Sequence, residues 1–204
     1  TETKKILQSN NIVLTGNPIN IENNSMNKKE ARIDLELNKN KNTILIIGGS
    51  QGATPLNEHF YNNYEFYKKN YYQIILQCGT NNYHSIPNHI KNQEDILIKG
   101  FFNKNNMLKV YKAADIVIAR AGAISISELT YLSKAMILIP YKYAADNHQE
   151  INAKSIENKK ACIAIDQDKL KTGILESTIN KLFNKNLINE LENNSFKASH
   201  PNAT

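Results

Sequence analysis

From residue 43 onward, short and almost wholly apolar runs alternate with stretches in which apolar side chains recur every three or four positions. The short runs cover 43–47, 73–77, 96–98, 115–119, 136–139 and 162–165. They are rich in β-branched residues and too short for helices, which predicts strands buried on both faces of a parallel sheet. Between them, Leu56, Phe60 and Tyr64 share a helical stripe, as do Ile124, Leu129 and Leu132. Helices are also predicted over 105–113, 148–158 and 172–183. Regular strand–helix alternation predicts an α/β fold, a Rossmann-like doubly wound parallel sheet with right-handed crossovers. Ligands of such sheets bind outside the carboxyl ends of the strands, the edge on which Gly48, Gly79 and Gly100 each follow a strand. Residues 20–42 are polar, with a short helix starting around Arg32, Ile33 and Leu35.

Three stretches at that edge carry candidate chemistry. The first, ILIIGGSQGA from Ile44 to Ala53, is an apolar strand that stops at paired glycines before Pro55 opens a helix. Such a corner offers backbone amides and the positive end of a helix dipole to an anion such as a diphosphate. A side chain at the glycines would block close approach. The alternative is a tight strand-to-helix turn with no ligand. The stretch is not G-x-G-x-x-G, which weakens a nicotinamide or flavin reading. The second, RAGAISISE from Arg120 to Glu128, is another strand–turn–helix corner. Ser125 and the first-turn amides can hold a diphosphate. Glu128 would repel phosphates, so its task is either to accept hydrogen bonds from a vicinal diol such as a ribose, or simply to complement the helix dipole. The third, PYKYAADNHQEINA from Pro140 to Ala153, ends a strand at Pro140 and, after a loop, begins a helix near Asp146 or Asn147 with His148 and Gln149 in its first turn. Their donors and acceptors suit sugar hydroxyls, although residues in such positions also serve as caps or surface groups.

Composition narrows the classes. The 204 residues suit one large domain, or one domain with appendages, and 41% hydrophobic content supports a real core. No apolar run is long enough to span a bilayer, and the first residues lack a signal-peptide pattern. Cys78 and Cys162 are far apart in apolar segments and read as buried thiols in a reducing compartment, not as a disulfide or metal pair. The five histidines have no metal-ligand spacing. A net charge of +6 favours an anionic substrate or membrane surface, but dispersed lysines more often form a solvated face. They do not interleave with aromatics in a nucleic-acid-binding pattern.

Taken in order, the three stretches resemble the donor-binding half of the MurG family of bacterial glycosyltransferases, and Gly16-Asn17-Pro18 is similar to that family's interdomain segment. The family adds N-acetylglucosamine (GlcNAc) to undecaprenyl-diphosphate-linked N-acetylmuramoyl-pentapeptide (lipid I), giving lipid II. The resemblance runs from about Gly16 to Ile165. It implies the C-terminal domain of a GT-B glycosyltransferase, with 43–204 as the UDP-GlcNAc-binding domain and 1–42 as an interdomain segment and remnant. By the same resemblance Gly49, Ser50 and Gln51 lie by the donor diphosphate and nucleotide, and the Phe102 backbone pairs with the uracil edge. Ala123, Ile124 and Ser125 meet the phosphates, Glu128 holds the ribose hydroxyls, and His148 and Gln149 read the GlcNAc hydroxyls. The implied reaction is inverting, with no cofactor and no essential metal, at the cytoplasmic face of the bacterial plasma membrane, to which the enzyme binds peripherally.

Two departures accompany the resemblance. The family motif runs Gly-Asn-Pro-Val-Arg, and Asn20 stands where the arginine is expected. The acceptor-binding N-terminal domain, and with it the catalytic base, is expected outside these residues, so the chain reads as a fragment or split half, inactive alone. Other readings are a sugar-nucleotide epimerase, the donor-binding subunit of a split UDP-GlcNAc transferase acting on another polyprenyl-linked sugar, and a non-catalytic sugar-nucleotide-binding module.

Overall fold

The computed structural model describes residues 16, 17, 19, 25–91 and 93–200. Six strands, β1 (Thr43–Ile47), β2 (Gln73–Gln77), β3 (Ile96–Lys99), β4 (Ile116–Ala119), β5 (Ala135–Leu138) and β6 (Cys162–Ala164), form one sheet. All pairings are parallel, in the order β3-β2-β1-β4-β5-β6. The doubly wound expectation holds, and the strand order reverses between β1 and β4, where a ligand crevice is expected.

Strand alternation builds a core on each side of the sheet. Ile44 and Ile46 pack with Leu56, Phe60, Ile179 and Leu182 on one face. Leu45 and Ile47 pack with Val110, Leu129 and Met136 on the other. The first face is covered by α2 (Thr54–Asn62), α3 (Tyr64–Lys69) and α8 (Ile174–Asn184). The second carries α1 (Lys28–Asp34), α5 (Lys104–Ala113), α6 (Ala123–Tyr131) and α7 (His148–Glu157). A short α4 (Asn88–Lys91) precedes β3, and α9 (Ile188–Ala198) packs against α6 and β5.

Residues 27–34, ahead of β1, are built into this body. Asn27 caps α1 with a complete capping box to Glu30. Arg32 is buried, donating from Nε to Ala113 O at 2.9 Å and from Nη2 to Asp115 Oδ2 at 2.6 Å. The same Asp115 oxygen accepts the Thr43 amide at 2.8 Å, tying α1 to the start of β1.

Several element boundaries differ from the sequence expectation. The Leu56–Phe60–Tyr64 stripe belongs to two helices broken at Asn63, whose backbone leaves the helical region at φ −113° and ψ 19°. The expected helix over 172–183 starts at Ile174, because Gly173 (φ 75°) separates it from a 3₁₀ turn at Gln167–Thr172. β5 runs one residue earlier than expected, behind a turn in which Ser133 has φ 54°. α9 was not foreseen; its Asn- and Glu-rich sequence hides Leu191, Ser195 and Ala198, the residues it buries. Both cysteines are free and buried, as expected. Among the described residues no helix is long and apolar enough to cross a membrane, and no group of three or more His, Cys, Asp or Glu is placed to hold a metal ion.

Candidate functional site

The two central corners lie side by side because β1 pairs with β4, Ile47 opposite Ala119. After β1, Gly49 (φ 86°) and Gly52 (φ 77°) take left-handed backbone. A Cβ on Gly52 would sit 2.0 Å from Cys78 O, so that glycine packs the corner onto the loop after β2. A Cβ on Gly49 would meet nothing within 4 Å, so that glycine faces open space. After β4, Gly122 caps α6 without a side-chain hydrogen bond. The first-turn amides on Ala123, Ile124 and Ser125 therefore remain available at the positive end of the helix.

Two cavities flank this junction, and both are lined by Ile47, Gly49 and Ser125. The first holds about 400 Å³ and is walled by Phe101, Phe102, Met107 and Leu108, with Ser50, Gln77, Lys104, Tyr111, Ser125 and Glu128 as its polar groups. Gln77 joins two loops here: its Nε2 donates to Gly49 O at 3.0 Å, and its Oε1 accepts the Phe102 amide at 2.9 Å. Half-buried Glu128 accepts from the Tyr111 hydroxyl at 2.9 Å. Burial pushes the Glu128 carboxyl above the usual carboxylate range, and the Tyr111 bond partly offsets this. Burial and the neighbouring Glu128 also hold the Tyr111 phenol protonated, and therefore a donor.

The second cavity, about 540 Å³, lies between the first corner and the loop after β5. Arg120, Tyr141, Tyr143, Gln149 and Gln167 supply its side-chain chemistry. Arg120 is buried, donating to Ile139 O at 3.0 Å, Pro140 O at 3.1 Å and Gln167 Oε1 at 2.6 Å. Gln149 accepts the Tyr141 amide through Oε1 at 2.9 Å, which leaves its NH₂ end to face other partners. Asp146 (φ 49°) and Asn147 (φ 52°) turn the chain into α7 in left-handed backbone, a conformation that Asp and Asn tolerate better than most residues. Paired positive φ values beside a cavity often mark a functional loop.

The structure thus gathers most of the residues singled out from sequence. Gly49, Ser50, Phe102, Ile124, Ser125 and Glu128 line the first cavity, and Gly49, Ser125 and Gln149 the second. Gln51, Ala123 and His148 line neither. Gln51 is exposed, its carbonyl 3.4 Å from Asn82 Nδ2. Ala123 lines a separate hollow of about 220 Å³ beside Asn17, whose Nδ2 donates to Ser127 Oγ at 3.0 Å. His148 is exposed, its Nδ1 2.6 Å from Ala145 O. Pro18 and Asn20 lie outside the described residues.

Gln77, Tyr111, Arg120, Tyr141 and Gln167 were not singled out as site residues. Gln77 had a readable signal, since an amide that ends an apolar strand on the ligand edge needs partners there. Tyr111 and Gln167 had none, because their contacts span 17 and 47 residues.

The sequence and fold have counterparts among known proteins. The glycosyltransferase family 28 C-terminal domain matches residues 43–203. The UDP-N-acetylglucosamine–N-acetylmuramyl-(pentapeptide) pyrophosphoryl-undecaprenol N-acetylglucosamine transferase of Caldicellulosiruptor saccharolyticus is 37% identical over 211 residues, spanning 100% of this chain and 56% of the relative. The Bacillus subtilis enzyme of the same name is 31% identical, over 99% of this chain and 56% of its own length. The crystal structure of Acinetobacter baumannii MurG superposes with a TM-score of 0.69 at 28% identity, covering 80% of this chain and 49% of that one. The chain therefore spans about half the length of the curated relatives it matches. Its sheet order, its paired strand–helix corners and these matches place it in one group: the chain belongs to the glycosyltransferase family 28 C-terminal domain family.

Proposed function

We propose that this chain holds UDP-GlcNAc and presents it for inverting transfer to lipid I, making lipid II for peptidoglycan synthesis. The observation that carries the reading is the meeting of two cavities at Gly49 and Ser125, beside the uncapped N-terminus of α6. A nucleotide sugar has that form: a nucleoside, a doubly charged diphosphate and a hexose in line. The nucleoside occupies the 400 Å³ cavity. There Glu128 accepts from the ribose hydroxyls, and the Phe102 carbonyl accepts from the uracil ring N–H, its amide being engaged by Gln77. The diphosphate lies against Gly49 and the first turn of α6. The hexose enters the 540 Å³ cavity, where the Gln149 NH₂ donates to its hydroxyls.

In this reading the acceptor hydroxyl attacks the anomeric carbon as the bond to the diphosphate oxygen breaks. A base takes the hydroxyl proton. Charge growing on the departing UDP is offset by the α6 dipole and amides already in place. We assign the base and the lipid-binding surface to the portion of the relatives that this chain does not match. Peripheral attachment at the cytoplasmic face of the membrane belongs to the same reading, and the net charge of +6 supports it.

A transfer assay tests the proposal. Labelled GlcNAc is followed from UDP-GlcNAc into lipid II by the 204-residue chain, by the N-terminal half of a relative, and by the two mixed. Label should reach lipid II in the mixture and not with either half alone, because catalysis needs donor and acceptor held in register across a cleft. Transfer by this chain alone would place the base and acceptor site within these residues. No transfer by the mixture, with both halves folded and associated, would contradict the assigned reaction.

A further inference from the structure

We propose that the Tyr143 ring is a stacking platform for the donor hexose, and that it sets much of the affinity the sugar adds to UDP. The inference rests on the donor reading above and goes beyond it by assigning a residue that neither sequence nor comparison singled out.

Tyr143 lines the 540 Å³ cavity yet is 74% exposed. A single exposed aromatic ring is ordinary, but this one is held in place by a chain of contacts. Its ring lies edge-on to Tyr141, with centroids 5.8 Å apart and planes at 73°. The Tyr141 ring in turn lies 5.5 Å from the Arg120 guanidinium carbon. Arg120 is buried and fixed by three hydrogen bonds, to Ile139 O, Pro140 O and Gln167 Oε1. A backbone turn, Ala144 N to Tyr141 O at 3.1 Å, closes the segment between the two tyrosines. The ring is thus presented by a braced loop, at little ordering cost on binding.

The chemistry of the cavity divides to match a pyranose. A hexose carries hydroxyls around its edge and C–H groups on its faces. Gln149, with one end of its amide already engaged by Tyr141, is suited to the hydroxyl edge. An aromatic face is suited to the C–H groups, as in other contacts of apolar groups with rings. Arg120 has three of its five N–H donors committed to protein oxygens, which fixes the guanidinium beside Tyr141 and, through it, steadies Tyr143.

Calorimetric titration of the full chain with UDP and with UDP-GlcNAc separates the sugar's contribution from that of the nucleotide. Tyr143→Ala should leave UDP affinity unchanged and weaken UDP-GlcNAc roughly two- to twelvefold, the range of one aromatic contact. Tyr143→Phe keeps the ring and should bind both as wild type does. Unchanged UDP-GlcNAc binding by Tyr143→Ala would overturn the role of Tyr143 alone. So would an equal loss for UDP and UDP-GlcNAc, which would mean a loop disturbed as a whole. If wild type binds neither ligand, the donor reading fails and this inference falls with it.

Discussion

The Tyr111 hydroxyl donates to Glu128 Oε2 at 2.9 Å, a bond that joins α5 to α6 beneath the first cavity. It fixes which carboxylate oxygen stays open to a ligand, and it keeps a half-buried acid more ionised than burial alone would allow.

A pH dependence follows from that bond. Burial raises the Glu128 carboxyl, so protonation removes its acceptor role at a pH above the usual carboxylate range. UDP-GlcNAc affinity should fall as pH drops through that raised value. Tyr111→Phe removes the compensating bond and should move the fall to higher pH. The ligand-free protein has the opposite trend. A carboxyl whose folded pKa is raised favours folding in its protonated form, so its contribution to stability is present at low pH and is lost as pH rises through the folded value. Glu128→Ala should weaken UDP-GlcNAc by about 1.5–3 kcal/mol at neutral pH, the range for hydrogen bonds to a charged group. Titration calorimetry across the mildly acidic range reads the unmodified protein and both variants. A Glu128→Ala protein that binds as wild type does would leave the carboxylate with only a helix-dipole role.

The two left-handed glycines of the first corner should separate stability from binding. Gly49→Ala meets no atom and carries only the left-handed backbone cost, about 1–2 kcal/mol. The new methyl occupies the space assigned to the diphosphate, so donor binding should be lost while the fold survives. Gly52→Ala carries the same backbone cost and also drives its Cβ to 2.0 Å from Cys78 O. It should lower the thermal midpoint much further. A Gly49→Ala protein that binds UDP normally would remove the diphosphate from this corner.

The contrast between those glycines shows what the sequence made legible. Strand–turn–helix corners are local, so ILIIGGSQGA and RAGAISISE announced both the parallel sheet and the edge where a ligand would sit. Their adjacency is also legible, because a doubly wound sheet brings the first and fourth strands together. What each residue faces is not local. Gly49 and Gly52 look alike in sequence and both line the second cavity, yet an added Cβ meets open space at Gly49 and Cys78 O at Gly52. Ser50 and Gln51 both sit between them, yet Ser50 lines the first cavity and exposed Gln51 lines neither. The Asn63 break and the Gly173 stop depended on single backbone angles, which apolar spacing does not encode.

Asp115 tests whether the residues before β1 belong to the folded body. It accepts from Arg32 and from the Thr43 amide, and it pairs with Lys28 at 2.7 Å. Asp115→Ala leaves the buried Arg32 charge without its partner, which typically costs about 3–5 kcal/mol. Urea unfolding should show a much lower midpoint with a similar slope. A midpoint near wild type would mean that α1 contributes little to the stability of the sheet.

The most direct measurement of the central claim is calorimetric titration of the 204-residue chain with UDP-GlcNAc and with matched adenosine and guanosine sugar nucleotides. A domain with two complete core faces can fold alone, so the proposed donor site should be present in these residues by themselves. The account predicts saturable binding of UDP-GlcNAc and much weaker binding of both purine nucleotides, because in the proposed pose the Phe102 carbonyl, at the wall of the first cavity, meets the uracil ring N–H. Equal heats for all three nucleotides, or no heat for any, would contradict it.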